Sequence, residues 1–179
     1  MRLDMNVPVL ACALLGAALL QDRIPVTPAL PSKVVFLTAA ALYFALTKPA
    51  PVALTALVWA GALTDALGGL PLFCTFGFLL AVYGATRLMQ RVFLEATLFQ
   101  GALLVACVAA LQALWTRAWA GTGMPFVSWH TLAAAAYAVP AGAVAGVVGF
   151  AACGLIDRVS GNVKPVKEGH GILWAETNR

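Results

Sequence analysis

The sequence predicts an all-α, polytopic membrane helix bundle of about six transmembrane helices with both termini in the cytoplasm. Three observations predict it. The first is polarity: of 179 residues, 62% are hydrophobic and only 10% charged, with a mean hydropathy of +0.91. A soluble domain carries about 25% charged residues, and 11 basic plus seven acidic residues cannot cover a surface of this size. Alanine and leucine alone supply over a third of the chain. This excludes a secreted disulfide scaffold, a disordered chain and an ordinary cytosolic enzyme. The second observation is spacing, since apolar runs alternate with short stretches of charge, proline and glycine. The third is the sorting of lysine and arginine between alternate loops.

Each segment is bounded by residues that stop a helix or resist burial in lipid. The first spans Met5–Leu20 and closes at Gln21-Asp22-Arg23-Ile24-Pro25. The second, Val34–Thr47, ends before Lys48-Pro49. Its 14 residues rise about 21 Å, less than the roughly 30 Å of a hydrocarbon core. It therefore either begins earlier, through Pro28-Ala29-Leu30, or crosses a thinned bilayer. The third and fourth, Pro51–Leu67 and Leu72–Met89, are separated by Gly68-Gly69-Leu70-Pro71, a stretch rich in turn formers. Phe93–Leu114 is the fifth, and the sixth lies within Trp129–Ile156. Pro140 falls inside that last run, so Val139–Ile156 could span alone with Ser128–Ala138 as a kinked or interfacial extension. Five spans are the alternative count. Residues 1–158 form one transmembrane helical domain on this reading, and residues 159–179 a short basic cytoplasmic tail.

With the N-terminus inside, Arg2, Lys48, Arg87, Arg91, Arg158, Lys164, Lys167 and Arg179 fall on the cytoplasmic side. Arg23, Lys33 and Arg117 fall outside, which is the bias of the positive-inside rule. Trp115, Trp119 and Trp129 flank the outer loop between segments five and six, at the depth indoles favour. The net charge of +4 thus reflects topology rather than a nucleic-acid surface. The first segment lacks a small-x-small cleavage site and reads as a retained helix.

Candidate chemistry is sparse. Cys12, Cys74, Cys107 and Cys153 stand singly in apolar runs and read as small buried residues. Asp157 and Arg158 mark the inner interface, as does Glu95, while His130 and His170 read as solvated polar residues. No phosphate loop, nucleophile elbow or zinc-protease motif is present, so no catalytic, cofactor-binding or metal-binding residue is assigned. Asp65 is the acid nearest to lying within a span, where charge is costly. Its carboxylate either reaches the interface or accepts bonds from free amides at the start of the fourth segment. Ala13–Ala17 and Gly142–Gly146, extended by Gly149 and Gly154, have the spacing of small residues that lets helices pack closely. That packing is either internal to the bundle or against a partner.

Between segments three and four runs Gly61-Ala-Leu-Thr-Asp65-Ala-Leu-Gly-Gly69-Leu-Pro71-Leu-Phe73. Gly61, Asp65, Gly69 and Pro71 match the most recognisable stretch of the rod shape-determining protein MreD family, which the chain resembles. That family often has a further glycine where Phe73 stands. The resemblance also covers length, six spans, both ends inside and a short basic tail.

The resemblance implies a non-enzymatic scaffold of the bacterial inner membrane, within the cell-elongation and peptidoglycan-synthesis machinery. It implies a MreC-like partner with one span and a periplasmic coiled coil, and indirect links to the MreB filament and to wall-synthesis enzymes. It implies no cofactor. The basic loop (Arg87, Arg91) and tail (Arg158, Lys164, Lys167) are placed to meet anionic lipid or the filament. A different reading is a small-molecule-binding membrane subunit of an energy-coupling-factor type vitamin or metal uptake transporter. Such subunits have a similar six-helix layout and a docking motif to which Ala13-x-x-x-Ala17 is similar.

Overall fold

The computed structural model describes residues 6–24, 35–71, 73–90, 98–119 and 128–160. Six helices run through them: α1 (Asn6–Arg23), α2 (Phe36–Thr47), α3 (Ala50–Gly68), α4 (Cys74–Gln90), α5 (Leu98–Trp119) and α6 (Trp129–Val159). Among the described residues there is no strand. Ala50–Gly68, Leu98–Trp119 and Trp129–Val159 are long and apolar enough to cross a membrane, and Phe36–Thr47 and Cys74–Leu88 are shorter apolar helices. The fold is a membrane helix bundle. Arg2, Lys33, Leu72, Arg91, Glu95, Lys164, Lys167, His170 and Arg179 lie outside the described residues.

The shortest helix sits at the centre. Every residue of α2 from Phe36 to Ala45 is buried, and α2 touches each of the other five helices. A helix that is hydrophobic all round belongs in a core. At 12 residues it rises about 18 Å, yet protein rather than lipid surrounds it, so its length need not match the bilayer. Pro28, Ala29 and Leu30, through which the second segment could begin earlier, lie outside the described residues. The outer helices instead present apolar side chains outward, among them Leu19, Trp59, Leu103, Val144 and Leu155. In water such a surface would drive aggregation; in lipid it is the expected exterior.

Local chemistry sets the helix ends. Lys48 closes α2 in extended conformation, as a residue before proline must. Pro49 then caps α3, its carbonyl accepting from Ala53 N–H at 3.0 Å. The chain thereby reverses over two residues. Gln21 of α1 caps α2 from outside, its Oε1 accepting from Leu37 N–H at 3.1 Å. Ser128 caps α6 through Thr131 N–H, the usual role of a serine at that position. From Ser128 onward α6 is a single helix of 31 residues through Pro140, about 46 Å long. The kinked or interfacial extension is thus the first third of one helix. α5 continues past the fifth apolar run, ending at Trp119 rather than Leu114.

Side-chain bonds sort the helix ends into two groups. Gln21–Leu37, Asp65–Thr75, Trp115–Cys74 and Arg117–His130 lie at the α3–α4 end. Lys48–Asp157 and Arg87–Lys48 lie at the α2–α3 end. Consecutive helices therefore run antiparallel. At the α3–α4 end the N-termini of α2, α4 and α6 gather with oxygen acceptors. At the other end their C-termini gather with cations. Both arrangements oppose the helix dipoles.

The tightest seam is α5 against α6. A Cβ on Gly142 would come within 2.6 Å of Ala109 Cβ, and one on Gly146 within 2.8 Å of Ala102 Cα. Gly149 faces Ala39 of α2 at 2.9 Å. The small-residue run in the last segment thus packs inside the bundle.

Candidate functional site

The residues of the motif form one joint between α3 and α4. α3 ends because Gly69 takes a left-handed conformation, φ +64°, which glycine adopts without a Cβ penalty. The turn lets both Gly69 N–H and Leu70 N–H donate to the carbonyl of Asp65, satisfying part of the helix C-terminus. Asp65 is fully buried. Its carboxylate accepts Thr75 N–H, at 3.0 Å to Oδ1 and 3.2 Å to Oδ2. The backbone of Asp65 thus closes α3, while its side chain opens α4. Of the two roles open to Asp65, the structure shows the acceptor of an amide at the start of α4.

Pro71 has no N–H to leave unsatisfied, and its carbonyl accepts from Cys74 N–H at 3.1 Å. Gly61 lies one turn before Asp65. A Cβ there would sit 2.9 Å from both Cα and N of Phe76, so α3 and α4 approach at backbone contact only because Gly61 lacks one. Trp115 of α5 donates from Nε1 to Cys74 O at 3.1 Å and lies against Phe78 and Trp119. The indole assigned to the outer boundary therefore also ties α5 to the joint. Gly61, Asp65, Gly69 and Pro71 are brought together, each holding the same turn.

Two features of the joint are unusual. Phe73 has φ +69°, a region costly for a residue with a Cβ, and its side chain is 56% exposed. Thr75 Oγ1 is buried without a hydrogen-bond partner among the described residues.

A second polar cluster lies at the α2–α3 end. Asp157, read from the sequence as marking the inner interface, is fully buried within the bundle there. Its Oδ2 accepts from Tyr43 Oη at 2.8 Å and from Lys48 Nζ at 2.9 Å. Arg87 Nη2 donates to the carbonyl of Lys48 at 3.0 Å, and the guanidinium lies 5.2 Å from the centre of the Tyr83 ring. The signal that pointed here was modest: Lys48 and Asp157 share one side, and a buried tyrosine needs a partner for its hydroxyl. A third buried polar contact, Thr38 Oγ1 to Gln112 Oε1 at 2.7 Å, fastens α2 to α5.

Neither cluster is arranged for metal binding. Among the described residues no three His, Cys, Asp or Glu side chains gather. Cys74 and Cys153 are buried, Cys12 and Cys107 exposed. Gly142, Gly146 and Gly149 belong to the packing seams rather than to either cluster. The chain matches no known family model, no curated protein and no solved structure.

Proposed function

We propose that the chain is a non-enzymatic scaffold of the bacterial inner membrane, similar to the MreD family and acting in the cell-elongation machinery by binding a MreC-like single-span protein. The observation that carries this reading is the backbone at Phe73. The family often has glycine at that position, and here the chain adopts φ +69°, a conformation glycine favours. The turn that the motif builds therefore asks for the residue the family has, even where this chain has another. Gly61, Asp65 and Gly69 add to it, since each meets a requirement of the same joint.

Six passes with both ends in the cytoplasm is the topology that goes with this reading. The antiparallel order places Lys48, Arg87 and Arg158 at one end of the bundle, which the positive-inside rule assigns to the cytoplasm. The joint then faces the periplasm, on the side of a partner's coiled coil. Links to the MreB filament and to wall-synthesis enzymes follow indirectly through that partner.

The test is depletion combined with affinity capture from the source bacterium. Rounded cells, and co-purification of a single-span coiled-coil protein, are the expected results. Normal rods with no such partner would overturn the reading. A tightly retained small ligand, or loss of vitamin uptake on depletion, would move the assignment to the transporter subunit.

A further inference from the structure

The cluster at the α2–α3 end is costly for a device that only stabilises. The side chains of Lys48 and Asp157 are 7% and 1% exposed. Taking both charges out of water offsets most of what their attraction returns, so apolar residues of similar size often serve stability equally well. The cluster is also incomplete. Asp157 Oδ1 and Arg87 Nε are buried and have no hydrogen-bond partner among the described residues. Lys48 is the point where four helices meet: its Nζ holds α6, its carbonyl holds Arg87 of α4, and it forms the turn from α2 to α3. Arg158, exposed on the next residue of α6, adds a further cation. Lys48, Arg87 and Arg158 thus gather at one end of the bundle, and basic residues at a helix end are those that meet the headgroups of a bilayer.

From this geometry we infer that Lys48–Asp157 is an ion-pair latch, and that the phosphate of an anionic phospholipid headgroup is the ligand that opens it. The phosphate offers acceptor oxygens to Lys48 Nζ and to the unfilled Arg87 Nε–H. Asp157 keeps the Tyr43 hydroxyl and is released toward water together with the end of α6. No bond is made or broken other than hydrogen bonds and ion pairs. The latch would couple lipid charge to the position of the α6 end, from which the basic segment 161–179 continues. The inference stands on the geometry of this end and does not depend on the scaffold reading.

The chain carries its own reporters. Cys153 is buried one turn before Asp157, on the same face of α6, and Cys74 is buried at the opposite end. In a C12A/C107A background, labelling by a water-soluble maleimide is measured in phosphatidylcholine vesicles, with and without an equal part of phosphatidylglycerol. Cys153 should label slowly in the neutral vesicles and about thirtyfold faster in the anionic ones, as expected for two cations attracted to an anionic surface. Cys74 should not respond. The apolar pair K48M/D157L should label slowly in both vesicles, and D157N rapidly in both. If D157N fails to fold, its Cys74 labels too, and the original pair compared with K48M/D157L still decides. Equal Cys153 rates in the two vesicles would overturn the inference. So would a lipid response that K48M/D157L retains.

Discussion

Asp65 shows how much one buried side chain can organise. It closes one helix with its carbonyl and starts the next with its carboxylate. Asp65→Ala removes the acceptor from a buried amide, a loss of about 1–3 kcal/mol. Thermal unfolding of the purified protein in detergent should show it as a lower Tm. Asp65→Asn keeps an acceptor oxygen and should fall between the two, and a variant as stable as the parent would remove the capping role. Phe73 makes the opposite prediction. Its left-handed backbone costs roughly 1–2 kcal/mol in a residue with a Cβ, and its ring is largely exposed. Phe73→Gly should therefore raise the Tm, in spite of the lost edge contact with Phe76. Gly61→Ala is expected to lower it, because the added methyl meets the Phe76 backbone at 2.9 Å and backbone cannot swing aside.

At the scale of elements, the α5–α6 seam depends on the absence of side chains. Small residues let helix backbones come close, and in a membrane that contact takes the place of the hydrophobic drive. Gly146→Leu should force the pair apart, as its Cβ alone falls 2.8 Å from Ala102 Cα. Disulfide trapping of an introduced pair across the seam would report the separation as loss of cross-link. Val148→Leu, on the exposed face of the same helix, should leave the cross-link unchanged. The sequence carried the small-residue spacing but not its partner. Which helix lay opposite was decided by the whole bundle.

α2 gives a second lesson at this scale. Read as an isolated span it is too short, because a lone helix must match the bilayer. Enclosed by five others, it must match only its neighbours. A polar change in its middle should therefore behave as a core mutation. Ala40→Asn places an amide among packed apolar side chains, and a cost of about 1–3 kcal/mol is expected where the amide finds no partner. The same change at exposed Ala85 should cost less, and loss of folded protein by size-exclusion chromatography compares the two.

For the molecule as a whole, most of what was legible in the sequence is one-dimensional. Hydropathy and punctuation located six helices within a few residues, because the limits on a helix in lipid are local: apolar length, a proline, a glycine or a charge at the end. Charge sorting indicated direction, and the antiparallel order of the helices is consistent with it. The motif around Asp65 was readable because its residues lie within one turn and two helix ends, where sequence distance and spatial distance nearly coincide.

The Lys48–Asp157–Tyr43 cluster was not readable in that way. Asp157 is separated from Tyr43 and Lys48 by more than a hundred residues, and beside Arg158 it has the pattern of an ordinary helix end. Only packing around α2 turns Asp157 inward and brings Lys48 to it, since a buried charge is tolerated only where another element supplies its counter-charge. The sequence by itself determined that this chain is a helical membrane bundle, roughly where each helix lies, and where its one recognisable turn lies. Tertiary structure alone decided which helix is the core, which small residues meet, and which charges are paired, because those depend on contacts between segments that no local rule relates.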